Sequence, residues 1–413
     1  MQRAMSTLFI LLLAAGAGAA GIGDRVTATA IALPHSLEGS IASWLTWGSG
    51  AIGPRLYLVP RSDGSLFLGW TDSSGTGRIS LLAGASATGI DSFAGDKLKG
   101  LAVHSDGSYA VLRWNSPSDT MRLAKYNLGG TQLFSTVVDT VNTEFDDWLG
   151  DSRLTYGDGT YAAYYTVYGT GSWMDGHHGD QLRYVNSSGS ITGGWEWGCS
   201  HSMAELISWD QDLGFVALCS SDCYPSKGLV RNNSQNLVAS DGNCGGLVSL
   251  QLGQMAAGDG EWKAVFNAMD TSCCDGFGIG FVRFGGAGGI NLSWLTNTSG
   301  TYERDPVMAR LPNGSGGDDR YLVGWRVTNT GEFYLAVVSG DGSIIEGPDA
   351  VGGGGIAWGN RDDSFQSRPD GSVSWVYGTP GSSTITLFTY RGDTVFADGF
   401  ESGSVSNWSS SVP

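Results

Sequence analysis

The sequence predicts an all-β protein built from a repeated hairpin, and three observations carry that reading. Glycine accounts for 65 of 413 residues, with only 11 prolines and no triplet period, which fits many tight turns and excludes collagen. Apolar residues make up 41% and charged residues 15%, with 15 each of Trp, Tyr and Phe, so the chain can bury a large core and is not a disordered polymer. The third observation is a series of Asp-Gly or Asn-Gly dipeptides set between apolar runs, the strongest short-range signal for a β-hairpin.

In chain order, the unit first occurs as Leu56-Tyr57-Leu58-Val59, Asp63-Gly64, then Leu66-Phe67-Leu68-Gly69-Trp70. It returns as Leu101-Ala102-Val103, Asp106-Gly107, then Tyr109 to Trp114, and again around Asp158-Gly159, Asp259-Gly260, Asn313-Gly314 and Asp370-Gly371. A weaker copy lacks the glycine: Leu206 to Trp209, Asp212, Phe215 to Leu218. Gaps between successive turns run from 43 (63 to 106) to 57 (313 to 370). Each copy is followed by further strand-like runs, such as Met121 to Tyr126 and Gln132 to Val138. Four short strands recurring every fifty or so residues define a β-propeller, whereas a sandwich would need only one or two sets of about eight. The count is seven four-stranded blades over residues 21–393, with six or eight open, and the early strand Thr27 to Leu33 is expected to complete the last blade.

The two ends differ from this core. Arg3, the apolar run Leu8 to Ala15 and the small residues Gly16 to Ala20 have the pattern of a secretory leader, so residues 1–20 are expected to be removed. The run is too short to span a bilayer. The expectation is a soluble, exported monomer, extracellular or periplasmic, whose six cysteines form disulfides. A formal charge of -17 argues against nucleic acid, which demands a clustered positive surface.

Ser367-Arg368-Pro369-Asp370-Gly371-Ser372 before Val373-Ser374-Trp375-Val376 resembles the "SPDG" element of TolB-like propeller repeats, which speaks to fold only. In the tail, 394–413, Phe396-Ala397-Asp398-Gly399-Phe400-Glu401-Ser402-Gly403 followed by Trp408 resembles a terminal "DGFESG…W" segment of exported bacterial proteins. That resemblance implies a processing or export tag; a disordered end is the other reading.

In propellers the innermost strand of each blade starts at one face, shared by the loops entering each blade and those joining its second and third strands. Counting seven back from each turn gives Leu56, Lys99, Asp151, Glu205, Leu252, Pro306 and Asp363, with Asp305 beside the sixth. Asp151, Glu205, Asp305 and Asp363 therefore fall at the mouth of the channel, either as strand caps or as a cation or ligand site. The same face should collect His177, His178 and Asp180 from blade three, Trp197, Cys199 and His201 entering blade four, and Cys219, Cys223 and Tyr224 within it. Cys244, Cys273 and Cys274 follow on blade five. Loops on a rigid scaffold are where binding and catalysis concentrate.

Cys199-x-His201 with Cys219-x3-Cys223 has zinc-ligand types but not a zinc spacing, so disulfides are favoured, with no cofactor expected and calcium or zinc as the alternative. Cys273 and Cys274 cannot easily bridge each other, which makes Cys244 a candidate partner for one. No Gly-x-Ser-x-Gly elbow, phosphate loop or His-Glu-x2-His is present. The leading reading is a module that binds an extracellular glycan or other polymer through the loops of blades three to five. The alternative is an enzyme with His178 or His201 as general base beside Tyr184, Tyr224 and Arg183, residue types similar to those of propeller-type polysaccharide lyases.

Overall fold

The computed structural model describes residues 21–392 except 44–49, 147–150, 172–173, 202–203, 241–243, 245–249, 270–275, 313–318 and 360–363. Nearly every described element is a strand, and the strands sort into four-stranded antiparallel units in chain order. The first is Leu56–Pro60, Leu66–Thr71, Gly77–Ala83 and Ser86–Phe93; the second is Lys97–Val103, Tyr109–Asn115, Thr120–Tyr126 and Gln132–Val137. The third is Ser152–Gly157, Thr160–Gly169, His178–Asn186 and Ile191–Gly198, with Thr143–Phe145 added along its second strand. The fourth is Glu205–Asp210, Gly214–Ser221, Gly228–Arg231 and Gln235–Ala239, and the fifth Leu250–Gly258, Glu261–Met269, Phe277–Phe284 and Asn291–Trp294. Glu303–Leu311, Arg320–Val327, Glu332–Ser339 and Ile344–Ala350 form the sixth.

The last unit is Gln366–Ser367, Val373–Tyr377 and Thr384–Tyr390, completed by the N-terminal strand Val26–Ala32, which runs antiparallel to its third strand from Val26 opposite Tyr390 to Ala32 opposite Thr384. First strands of successive units lie side by side, and Gln366–Ser367 returns beside Leu56–Pro60, so the sheets close a ring around a central channel. The fold is a β-propeller, closed by the early strand as the sequence predicts, one residue earlier than expected.

Turn chemistry explains the repeat. Asp158 (φ 46°) and Gly159 (φ 73°) are both left-handed, as a two-residue hairpin between Gly157 and Thr160 requires. Asp259 and Gly260 do the same between Gly258 and Glu261. In the longer turns, Asp63, Asp106 and Asp370 each accept the N–H and hydroxyl of the serine two residues on, at 2.5–3.1 Å. Asn313-Gly314 lies outside the described residues.

Burial falls outward along each sheet. Leu66–Thr71, a second strand, is buried throughout, whereas Ser86–Phe93, a fourth strand, is buried only at Phe93. Strands covered on both faces read as unbroken apolar runs, which is why Leu66 to Trp70 shows no polar alternation. Each hydrophobic cluster lies between two neighbouring units, as with Leu206, Leu218 and Leu229 of the fourth against Trp262, Phe266 and Val282 of the fifth. Among the described residues no helix is long and apolar enough to cross a membrane.

Candidate functional site

First and third strands of an antiparallel meander run the same way, so His178, which opens a third strand, lies on the face where the innermost strands begin. Two disulfides staple that face. Cys199–Cys219 ties the segment after the third unit to the second strand of the fourth, and Cys223–Cys244 ties the following loop to the segment entering the fifth. The Ser200 N–H donates to the Tyr224 carbonyl (2.8 Å), the Asp222 N–H to the Ser200 carbonyl (3.1 Å) and the His201 N–H to the His178 carbonyl (2.9 Å). These bonds hold Cys199 (φ 22°) and His201 (φ 47°) in left-handed backbone that non-glycine residues avoid.

The three segments bring three histidines together. The ring of His201 lies 5.7 Å from that of His178 and 6.5 Å from that of His177, centre to centre. His178 Nδ1 pairs with Asp146, and His201 Nδ1 lies 3.2 Å from Asp222 Oδ2. Both carboxylates are buried. The hydrogen bond to Asp222 raises the His201 pKa above its ordinary value, against the opposing effect of burial. Tyr168 sets its ring 5.0 Å from His178, Tyr224 lies 5.8 Å from Trp197, and both tyrosines are exposed, at 36% and 46%. The face thus offers an exposed ring against His178, a second exposed ring beside Trp197, and two buried imidazole-holding carboxylates.

Asp180 lies below this cluster, fully buried inside a strand rather than in a loop as expected. It accepts Tyr164 Oη at 2.5 Å and Trp195 Nε1 at 2.8 Å, and burial pushes its pKa up to about 7. With Cys199 and Cys219 it forms a trio at metal-ligand separation, but the two sulfurs are bonded to each other.

Asp151, Glu205 and Asp305 line one small polar pocket at this end of the channel, all buried. Asp151 takes Arg153 Nη1 at 2.6 Å, Arg55 Nη1 at 3.5 Å and the Glu205 N–H at 2.8 Å. Asp305 pairs with Arg326 at 2.9 Å and receives Gln251 Nε2 at 3.3 Å. Lys99 turns from the channel onto the Phe145 and Trp114 rings, at 4.5 and 5.3 Å. Gln254 accepts the Phe365 N–H at 3.0 Å and donates to its carbonyl at 2.9 Å, across the ring. This end of the channel is a polar plug. The other widens to a cavity of about 460 Å³ lined by Tyr57, Tyr156, Trp209 and Arg310.

Several expectations need correction. Arg183 and Tyr184 do not join His178: they lie five and six residues further along the same strand, about 16–20 Å away at a strand's rise. Tyr184 packs on Phe215 at 5.4 Å, and Arg183 Nε donates to the Val138 carbonyl at 3.3 Å. Trp197 is buried at 7% exposure and offers no open stacking face. Cys244 bonds to Cys223, not to Cys273 or Cys274. Cys273, Cys274, Asp363, the leader and the tail lie outside the described residues. Sequence reasoning missed Asp146, Tyr168, Arg55 and Arg153. Asp146 follows the extra strand Thr143–Phe145, an insertion outside the repeat, and no spacing rule reaches it from 32 residues away.

No protein-family model matches the chain, and no curated protein matches its sequence. Among solved structures it is similar to a chain of the mitotic checkpoint complex, with a TM-score of 0.52 and 8% identity over 88% of this chain and 95% of that one. It is also similar to a Penicillium chrysogenum α-L-arabinanase complexed with arabinobiose, at TM-score 0.44 and 11% identity, covering 88% and 98%. A Fusarium graminearum α-L-arabinofuranosidase with arabinobiose gives 0.43 and 10%, covering 86% and 97%. At 8% identity the first of these likenesses concerns fold alone.

Proposed function

We propose that the protein is an exported propeller that binds an extracellular glycan on the stapled face of its third and fourth units. The observation that carries this is a pair of exposed rings on one disulfide-fixed surface, Tyr168 against the carboxylate-held His178 and Tyr224 beside Trp197. A sugar presents apolar C–H faces to stack on aromatic rings and hydroxyls to hydrogen-bond with imidazole. A surface fixed before binding loses little entropy on binding. Disulfides form and persist in oxidising compartments, which supports the export that the leader pattern of residues 1–20 predicts.

A degradative reading has one specific support, the His178–Asp146 pair beside Tyr168, which has the parts of a proton-transfer site. A panel of soluble polysaccharides, screened by calorimetry and by reducing-end release, separates the two. The binding reading expects Tyr224→Ala to weaken the best ligand by about tenfold or more, about 1.4 kcal/mol, and His178→Ala, which removes one hydrogen-bonding imidazole, to weaken it by less than about tenfold. Turnover that falls by about two or more orders of magnitude in His178→Ala would establish the enzyme instead. A panel without a ligand refutes both.

A further inference from the structure

We infer that the Cys223–Cys244 bridge is a redox switch on the stapled face: a dithiol reductant opens it, and opening it releases the loop that presents Tyr224. What the switch controls rests on the glycan reading; the chemistry of the bridge does not. The two bridges differ in access. Cys199 and Cys219 are buried, at 0% and 1% exposure, whereas Cys244 is exposed and Cys223 half-buried. Exchange begins with a thiolate reaching a disulfide sulfur. The outer bridge offers that sulfur in the folded protein, and the inner one offers it only after local unfolding. Exposed bridges are the labile, regulatory kind.

The position of the outer bridge makes its opening local. Tyr224 follows Cys223 directly, with its exposed ring beside that of Trp197. The Tyr224 carbonyl accepts the Ser200 N–H at 2.8 Å and the Ser221 hydroxyl at 2.6 Å. Ser200 adjoins Cys199 and Ser221 lies two residues beyond Cys219, so the inner bridge fixes both donors. The outer bridge is the covalent tie from this loop to the segment entering the fifth unit. Reduction therefore slackens the Tyr224 loop and leaves the turn at Cys199 and His201 stapled. In the step itself, one thiolate of the dithiol attacks Cys244 Sγ, the S–S bond breaks and Cys223 leaves as a thiolate. The second thiolate then displaces Cys244. Two electrons pass to the bridge, its two thiolates take up two protons near neutral pH, and the dithiol ends as a disulfide.

The test treats the oxidised protein with dithiothreitol under native conditions, quenches with iodoacetamide and maps alkylation to single cysteines by mass spectrometry. Cys223 and Cys244 should be alkylated about 100-fold or more faster than Cys199 and Cys219, because the inner pair waits on local unfolding. Amide hydrogen exchange over residues 222–227 should rise by about tenfold or more on reduction and return on reoxidation, with Val216 and Leu218 of the buried strand unchanged. The double variant Cys223→Ser, Cys244→Ser should show the faster exchange without reductant and no further response to it. Chemical reduction of the parent keeps the test valid if that variant misfolds. Equal reduction rates for the two bridges, or unchanged exchange over 222–227 once the outer bridge is open, would each overturn the switch. The affinity of the best polysaccharide should fall by about tenfold on reduction, matching Tyr224→Ala, and an unchanged affinity would overturn its control of binding. A panel without a ligand refutes the glycan reading and leaves alkylation and exchange to decide the switch.

Discussion

His104 offers a titration whose magnitude follows from its surroundings. It directly follows the first strand of the second unit, where Tyr161 Oη lies 2.7 Å from its Nε2 and the Tyr156 ring packs at 4.3 Å. Burial, then the Lys125 charge, lowers its pKa from 6.5 to about 4, with Asp106 opposing. The folded state therefore holds the imidazole neutral while the unfolded chain takes up a proton below 6.5. The stabilising effect is complete above that value and is lost as pH falls toward 4. Between about pH 7.5 and about pH 5 the full shift would correspond to a loss of about 2 kcal/mol, and solvent screening at this half-buried ring brings the expected loss to about 1 kcal/mol. Asp139, whose pKa burial raises to about 7, shifts stability in the opposite direction, so the total pH curve is not diagnostic. The comparison is urea unfolding of the parent and His104→Gln at both pH values, where groups that do not touch His104 cancel. The parent should lose about 1 kcal/mol, and at most about 2 kcal/mol, relative to the variant on acidification. A difference constant within about 0.5 kcal/mol would mean that His104 is solvated and the burial argument fails.

Two further outcomes follow from the staples and the plug. Replacing Cys223 and Cys244 by serine frees a loop of sequence separation 21 and should cost about 3 kcal/mol in urea unfolding of the oxidised protein. Asp151→Ala should cost about 3–5 kcal/mol by thermal or urea denaturation, because it strands the buried guanidinium groups of Arg55 and Arg153; a cost below about 1 kcal/mol would show that the network does not hold the channel closed.

The fold was legible because its period and its turns are local. Asp158-Gly159 and Asp259-Gly260 encode their hairpins in two residues, and the unbroken apolar run Leu66 to Trp70 marks a strand covered on both faces. The placement of His177, His178, His201 and the four described cysteines, Cys199, Cys219, Cys223 and Cys244, on one face was legible too, since it needs only strand direction. Pair contacts were not. Gly157 reads as part of a turn, yet what it answers to is Trp209, whose ring would lie 2.0 Å from an added Cβ, in the next unit. Arg183 and Tyr184 are near His178 in sequence and far from it in space, because a strand carries its residues apart where a loop would gather them. Arg55 and Arg153 look like surface charges until the ring closes and buries them against Asp151.

The two ends of the channel are built on different physical terms, and the difference bears on where function lies. In the wide cavity the arginines already have partners: Arg310 holds Asp319 at 2.7 Å and Arg153 holds Asp151 at 2.6 Å. Its walls are mostly the backbone and side chains of innermost strands, which any closed ring of sheets must have. The stapled face carries features that closure does not require. Left-handed Cys199 and His201, two covalent bonds and a carboxylate behind each of two histidines all act on one small area. Strained backbone persists only where its surroundings over-determine it, and here hydrogen bonds from three segments do so. A fold that needed only stability would put an ordinary turn at His201. Holding that ring beside His178 costs stability that a ligand bound there would return.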